Sequence, residues 1–293
     1  MRYIFLAFAL VLTGVTFAQD DLLSLVEKKD EKKKEHITNA FKSTRVINGH
    51  SIEFVGKGVM DVRILHRFGP INGGFTNIYG LDQANMRFGF DYGLLKSLTI
   101  GFGRSNVGKE WDGFIKFRPI WQAEGGIWPW PVSVVVVTGA TISNMPWAEP
   151  DRKNFFTSRM AFYNEIIIGR KFNERFSLQV APLLVHRNIV PLSTDKNNIY
   201  AIGIGTRFKL SRRTAFVVDY HYIVSGLDKS IYKDPLSVGF DIETGGHVFQ
   251  LHFSNATGMN EKAFITNTTN QWGKGEIRFG FNLSRVFTVS KPK

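Results

Sequence analysis

Not one of the 293 residues is cysteine. That absence removes disulfide scaffolds, thiol nucleophiles, thioether haem attachment and thiolate zinc sites together. Long hydrophobic runs are scarce too. Beyond residue 18 the longest pure aliphatic stretch is Val134 to Val137, far short of the roughly 20 residues that a helix needs to cross a bilayer. Proline is sparse, at 10 residues beside 28 Gly, which excludes a fibrous or proline-rich design. Acidic residues are outnumbered, 25 Asp+Glu against 37 Lys+Arg, leaving a net charge of +12 and a pI of about 9.8. The chain is instead rich in apolar and aromatic side chains, 43% and 14% of residues with 26 Phe, so a disordered polyelectrolyte is excluded.

The N-terminus reads as a targeting segment. Arg2 precedes an apolar stretch from Ile4 to Leu12, and small Thr16 and Ala18 stand where a signal peptidase reads. Residues 1–18 are therefore expected to be a secretory signal cleaved after Ala18, and Gln19, with no cysteine, excludes lipoprotein processing. Residues 19–43 form a polar leader, in which Leu22, Leu23, Leu25 and Val26 run into the charged stretch Lys28 to Glu35. Such a segment suits a short polar helix or a solvated periplasmic leader. Residues 44–293 are assigned to the main domain.

From about residue 44 the apolar period is two. Ile277, Phe279, Phe281 and Leu283 alternate with Arg278, Gly280, Asn282 and Ser284, and Met86, Phe88, Phe90 and Tyr92 alternate with Arg87, Gly89 and Asp91. A soluble sandwich also alternates, but two features favour a membrane barrel. Arg, Asp, Asn and Gly on one face oppose Phe and Tyr on the other, as a wet interior under a lipid-facing band requires. Connections also alternate between tight (94–96, 172–174, 211–213, 245–246) and long (69–80, 141–157, 189–197, 225–235, 255–273). Strands are predicted at 58–68, 82–93, 97–105, 110–121, 131–142, 158–171, 175–188, 198–210, 214–223, 236–243, 247–255 and 275–287. The fold class is all-β, a transmembrane antiparallel up-and-down β-barrel of about twelve strands. Pro119 interrupts one segment, and adjacent Asn164 and Glu165 leave the facing of another open.

Specific words in the sequence carry a resemblance: Thr44-Arg45-Val46-Ile47-Asn48, His66-Arg67-Phe68-Gly69, Gly80-Leu81-Asp82, Gly103-Arg104-Ser105, Thr244-Gly245-Gly246-His247 and Gly280-Phe281-Asn282-Leu283-Ser284-Arg285-Val286-Phe287. From about residue 40 to 287 the chain resembles a Bacteroidota-type family of outer-membrane β-barrels of unknown function. The resemblance implies fold and location, and it transfers no catalytic or binding residues.

The candidate functional residues are of two kinds. Asp61, Arg63, Arg67, Arg87, Asp91, Lys116, Arg118, Arg207 and Asp219 fall on the polar phase and would line a lumen. A basic excess there favours anionic solutes, whereas mutual neutralisation would leave a closed, side-chain-filled barrel. The second candidate is His252 and Ser254, two apart on one strand and so on one face, in a His-Phe-Ser-Asn-Ala sequence that looks like the motif of lipid A deacylases. Ser254 would be nucleophile and His252 base, with Glu261 or Asn267 as the group orienting the imidazole. That chemistry needs both side chains on the lipid side, while Phe249, Leu251 and Phe253 already claim it.

Other motifs are weaker. Gly103 to Lys109 matches most of a phosphate-binding loop, but Glu110 replaces the Ser or Thr that would hold magnesium. The seven histidines form no compact ligand run, and the three Asn-X-Ser/Thr triplets have no meaning in a bacterial barrel. The six Trp mostly lie at strand ends or in connections, as an interfacial girdle demands. The expectation is a non-enzymatic outer-membrane barrel of a Gram-negative bacterium, either a narrow channel for small, preferentially anionic solutes or a surface or assembly component, without cofactor or metal. The alternative is an outer-leaflet lipid esterase. Expected partners are outer-membrane lipid including lipopolysaccharide and the barrel-assembly machinery, while residues 20–42 either plug the lumen or bind a periplasmic protein; nucleic acid is not among them.

Overall fold

The computed structural model describes residues 34–126, 129–190, 192 and 194–290. The signal segment and leader residues 19–33 lie outside this range.

Twelve strands form the wall: β1 (Val59–Pro70), β2 (Ala84–Leu95), β3 (Leu98–Ser105), β4 (Glu110–Ile120), β5 (Ser133–Ser143), β6 (Met160–Lys171), β7 (Phe176–Arg187), β8 (Asn198–Lys209), β9 (Thr214–Ser225), β10 (Leu236–Thr244), β11 (His247–Ser254) and β12 (Arg278–Thr288). Each pairs antiparallel with its neighbours in sequence, and β12 closes on β1 with Thr288 opposite Val59 and Phe281 opposite His66. Closure leaves no wall strand with an unpaired edge. The period-two pattern becomes strictly alternating burial, clearest in β6, where Ala161, Tyr163, Glu165, Ile167 and Gly169 turn inward while Phe162, Asn164, Ile166 and Ile168 turn outward. The open facing of this strand is thereby settled with Glu165 inside and Asn164 outside. Pro119 does not end β4. It shifts the β4–β5 register between Phe117 and Ile120, because proline brings no N–H to the ladder.

One end of the barrel carries tight turns and the other long loops. At the β10–β11 turn Gly245 and Gly246 both have positive φ, 49° and 107°, as a two-residue hairpin following the strand twist requires. The exceptions to the alternation are the 121–132 connection at the short-turn end and the brief 106–109 connection at the other.

The wall begins at Val59, and residues 44–55, assigned to the barrel from sequence, lie inside it instead of forming part of the wall. Glu35 and His36 pair with Glu124 and Ala123 at the short-turn end. The chain then enters the lumen, reverses at a turn in which the Val46 N–H donates to the Gly49 carbonyl (2.9 Å), and returns to the same end at Gly58. The boundary drawn at residue 43 falls within this hairpin: Ala40, Phe41, Val46, Ile47 and Ile52 are all buried. From the long-loop end the 255–277 connection inserts a short helix, α1 (Glu261–Thr266), capped by the Asn260 side chain accepting from the Ala263 N–H (2.8 Å).

Hairpin and helix change what the inner wall must be. The inner face is not polar throughout: Phe114, Val135, Val137, Tyr163, Ile167, Leu183, Val185, Ile199 and Ile223 project inward from β4 to β9 and pack with Phe41, Val46, Ile52, Phe264 and Ile265. An inward apolar face is stable because hairpin and helix take it out of water. Small inner residues leave room: a Cβ on Gly169 would stand 2.7 Å from Ile52 and one on Gly205 2.8 Å from Val46.

Candidate functional site

All nine charged residues assigned to the inner phase are buried, and most of them grip the hairpin. Asp219 holds its tip: one carboxylate oxygen accepts the backbone N–H groups of Ile47 (3.2 Å), Asn48 (2.6 Å) and Gly49 (3.0 Å). A carboxylate takes three converging donors well, because charge-assisted hydrogen bonds are the strong ones. The cations hold oxygens along the legs. Arg63 donates to the hydroxyls of Ser43 (2.9 Å) and Thr44 (2.5 Å), and Arg67 donates to the Asn48 side-chain carbonyl (2.7 Å). Lys116 donates to the carbonyls of Thr44 (3.2 Å) and Glu53 (2.6 Å), and Arg118 to that of Ile52. Asp91 accepts from the Thr44 hydroxyl (3.0 Å). Three of the nine do not touch the hairpin through these bonds: Arg87 is paired with Asp112, Asp61 accepts from Ser284 (2.6 Å), and Arg207 has no such contact.

Sequence reasoning missed four further wall residues of this set. Gln179 accepts from the Ile52 N–H (3.0 Å) and donates to the His50 carbonyl (2.6 Å). Gln250 donates to the Val46 carbonyl (2.6 Å), Asn282 to that of Ile47 (3.0 Å), and Ser237 accepts from Asn48 (2.9 Å). All four lie on the polar phase and could have been read from it. What they bind could not, since nothing in residues 37–57 announces an internal hairpin.

Hairpin and helix meet at a charged junction. Arg45 donates to Glu261 (2.5 Å) and to the Asn48 carbonyl (2.7 Å), and the His50 Nε2 lies 3.3 Å from Glu261 and 3.4 Å from the Tyr163 hydroxyl. Burial, and then the charges of Arg45, Lys116, Arg87 and Arg63, hold the His50 imidazole well below its ordinary pKa. Glu261, considered from sequence as a catalytic orienting group, is therefore the helix's anchor to the hairpin. Asn267 follows the helix as its C-cap.

The buried charges inside the wall balance. Among the described residues Arg45, Arg63, Arg67, Arg87, Lys116, Arg118, Arg187 and Arg207 face Asp61, Asp91, Glu110, Asp112, Glu165, Asp219, Asp241 and Glu261, eight of each sign. The chain's net positive charge is therefore not concentrated in the occupied lumen. No group of three or more ligating side chains suited to a metal occurs among the described residues.

His252 and Ser254 do share a face, but it is the inner one. Both are buried, while Leu251 and Phe253 are exposed on the outer surface. Ser254 accepts from Ser237 (2.7 Å) and from the Ala256 N–H (3.0 Å), and the His252 Nδ1 lies 3.3 Å from the Gln250 carbonyl. No hydrogen bond joins the two side chains among the described residues. The esterase arrangement thus lacks both its nucleophile–base contact and its exposure to lipid.

A closed antiparallel wall, greasy outside and charged within, defines a membrane-spanning β-barrel protein. The chain belongs to the family described as Membrane bound beta barrel domain (DUF5777), whose pattern matches residues 41–287. That match starts at Phe41, so the inserted hairpin is part of the family domain. No curated protein matches the chain in sequence. Among solved structures it is similar to the NanC porin (7% identity, TM-score 0.49, covering 78% of this chain and 98% of that one) and to the KdgM porin (7%, 0.49, 78% and 99%). Omp33 of Acinetobacter baumannii is similar at 8% identity and TM-score 0.42, over 78% of this chain and 97% of that one.

Proposed function

We propose that this protein is a gated outer-membrane channel for small, preferentially anionic solutes, here in its closed state. The observation that carries this reading is the way the hairpin is held. Arg63, Arg67, Lys116 and Arg118, from β1 and β4, grip carbonyl and hydroxyl oxygens of the hairpin. A solute carboxylate or phosphate would satisfy the same donors. With the hairpin withdrawn, these cations would form a one-sided lane. Selectivity would come from that lane, since the overall buried charge is balanced. Withdrawal needs no threading, because both legs leave at one end, where a two-residue strand pairing and contacts from Lys171 and Glu243 hold the entering leg.

The orientation follows from the loops: short turns and the leader in the periplasm, long loops outside. In this reading a periplasmic partner acts through residues 20–42, lipopolysaccharide surrounds the long-loop end, and the barrel-assembly machinery inserts the wall.

Planar-bilayer conductance tests it. The whole protein is expected to conduct rarely, and a variant lacking residues 40–55 to conduct steadily, with a reversal potential in a salt gradient that favours anions. A deleted barrel that folds and stays silent would leave the surface or assembly role. Fatty-acid release from lipid A that Ser254→Ala abolishes would restore the esterase.

A further inference from the structure

On the outer surface of the wall, away from the strand ends, Thr138 and Asn164 form a polar pair where lipid offers nothing to bind. Asn164 is the fifth of the twelve residues of β6 and faces outward between exposed Phe162 and Ile166. Its side-chain oxygen accepts from the Thr138 hydroxyl of β5 (2.9 Å), and both residues are exposed. The Asn164 amide N–H₂ makes no hydrogen bond within the chain's described residues. At this depth the surroundings are hydrocarbon, in which an unpaired polar group is strongly disfavoured.

The surface around the pair is lowered. Gly113 and Ala140 face outward opposite each other on β4 and β5. On the other side Pro182 of β7 lies opposite Ile166, and the β6–β7 ladder has a gap there, between the Glu165–Leu183 and Ile168–Val180 pairs. A groove of about 480 Å³ opens beside it, lined by Val136, Ile166, Pro182, Leu184, Tyr200 and Ile202. A short side chain such as Asn164 reaches another protein only if two walls approach closely, and this surface permits that.

We infer that the β5–β7 face is a docking surface for a second copy of this chain, related by a two-fold axis beside Asn164. The carboxamide is self-complementary. Each amide donates one N–H to the partner's oxygen, whose second lone pair is free beside the Thr138 bond. An isologous contact of this kind satisfies both copies at once, and flanking side chains of each wall enter the groove of the other. A lipid chain offers no such partner at this depth, and a different membrane protein would need a matched amide of its own.

The absence of native cysteine makes the test clean. Thr138→Cys places a thiol beside the axis while keeping Asn164, and Leu283→Cys places one on the outer face of β12, across the barrel. On oxidation in membranes, Thr138→Cys is expected to give a disulfide-linked dimer and Leu283→Cys none. Adding Asn164→Val should cut the dimer yield at least five-fold. Every variant is checked for the compact, heat-modifiable electrophoretic form, so that misfolding is not read as dissociation. Equal linking at both positions, no linking with a monomeric mass in nanodiscs, or linking of Thr138→Cys to a different protein would overturn the inference.

Discussion

Asp219 and His50 show how single groups fix the occupied lumen. The Asp219 carboxylate accepts three backbone N–H groups that would otherwise be buried without partners. Removing it leaves three orphan donors, each a loss on the order of 1–3 kcal/mol. Asp219→Ala is thus expected to loosen the hairpin tip by about 3 kcal/mol, read as faster hydrogen exchange at residues 45–50 with the wall strands unchanged. His50 stays neutral in its buried site because its pKa is depressed there, whereas the unfolded imidazole titrates near 6.5. Its contribution to stability is complete above about pH 6.5 and declines as pH falls below that value, by up to about 1.4 kcal/mol per unit. His50→Gln removes this proton linkage. The thermal midpoint of the wild type should fall relative to that of His50→Gln between about pH 6.5 and 4.5, and parallel curves would refute the assignment.

At the scale of elements the proposed gate requires the hairpin to be a separable part. Its side chains add apolar burial through Phe41, Val46 and Ile52, each worth about 1.5–3 kcal/mol, but its backbone is held by polar groups that water or solute can replace. The Asn48 and Ser237 side chains touch across the hairpin–wall boundary (2.9 Å). Cysteines at these two positions should lock the hairpin, so that conductance events appear only after reduction. Were the oxidised protein to conduct as freely as the reduced one, the hairpin would not be the gate. The helix end is held differently. Breaking the buried Arg45–Glu261 pair by Glu261→Ala strands a guanidinium, an effect of about 3–5 kcal/mol, so this variant should lower the thermal midpoint more than Asp219→Ala does.

For the whole molecule, closure of β12 onto β1 makes the wall one cooperative unit, because no strand can leave without opening two ladders. The protein is expected to migrate as a compact species in SDS gels until heated. Proteolysis in intact cells should cut the 144–159 connection and spare the 172–175 turn. Cleavage at 172–175 alone would invert the proposed orientation.

The wall was legible in the sequence because strand facing is a local property. Residues two apart share a face, so Phe88 and Phe90 against Arg87 and Asp91 declare an outer and an inner side without reference to the rest of the chain. The inward charged set followed from the same phase, as did the turn at Gly245-Gly246. The occupant of the lumen was not legible. Residues 37–57 were divided at residue 43 between the leader and the period-two barrel, and their partners, Asp219, Gln179, Gln250 and Asn282, lie more than a hundred residues away. The apolar inner faces of β5 to β8 were not legible for the same reason: they match a hairpin and a helix delivered from opposite ends of the chain. Sequence alone determined an antiparallel barrel of about twelve strands with a charged inner phase, because alternation and turn chemistry act between neighbours. Only the tertiary structure decided that the lumen is filled and its charges balanced, and that His252 and Ser254 face away from lipid, because each depends on contacts made when distant segments close around one another.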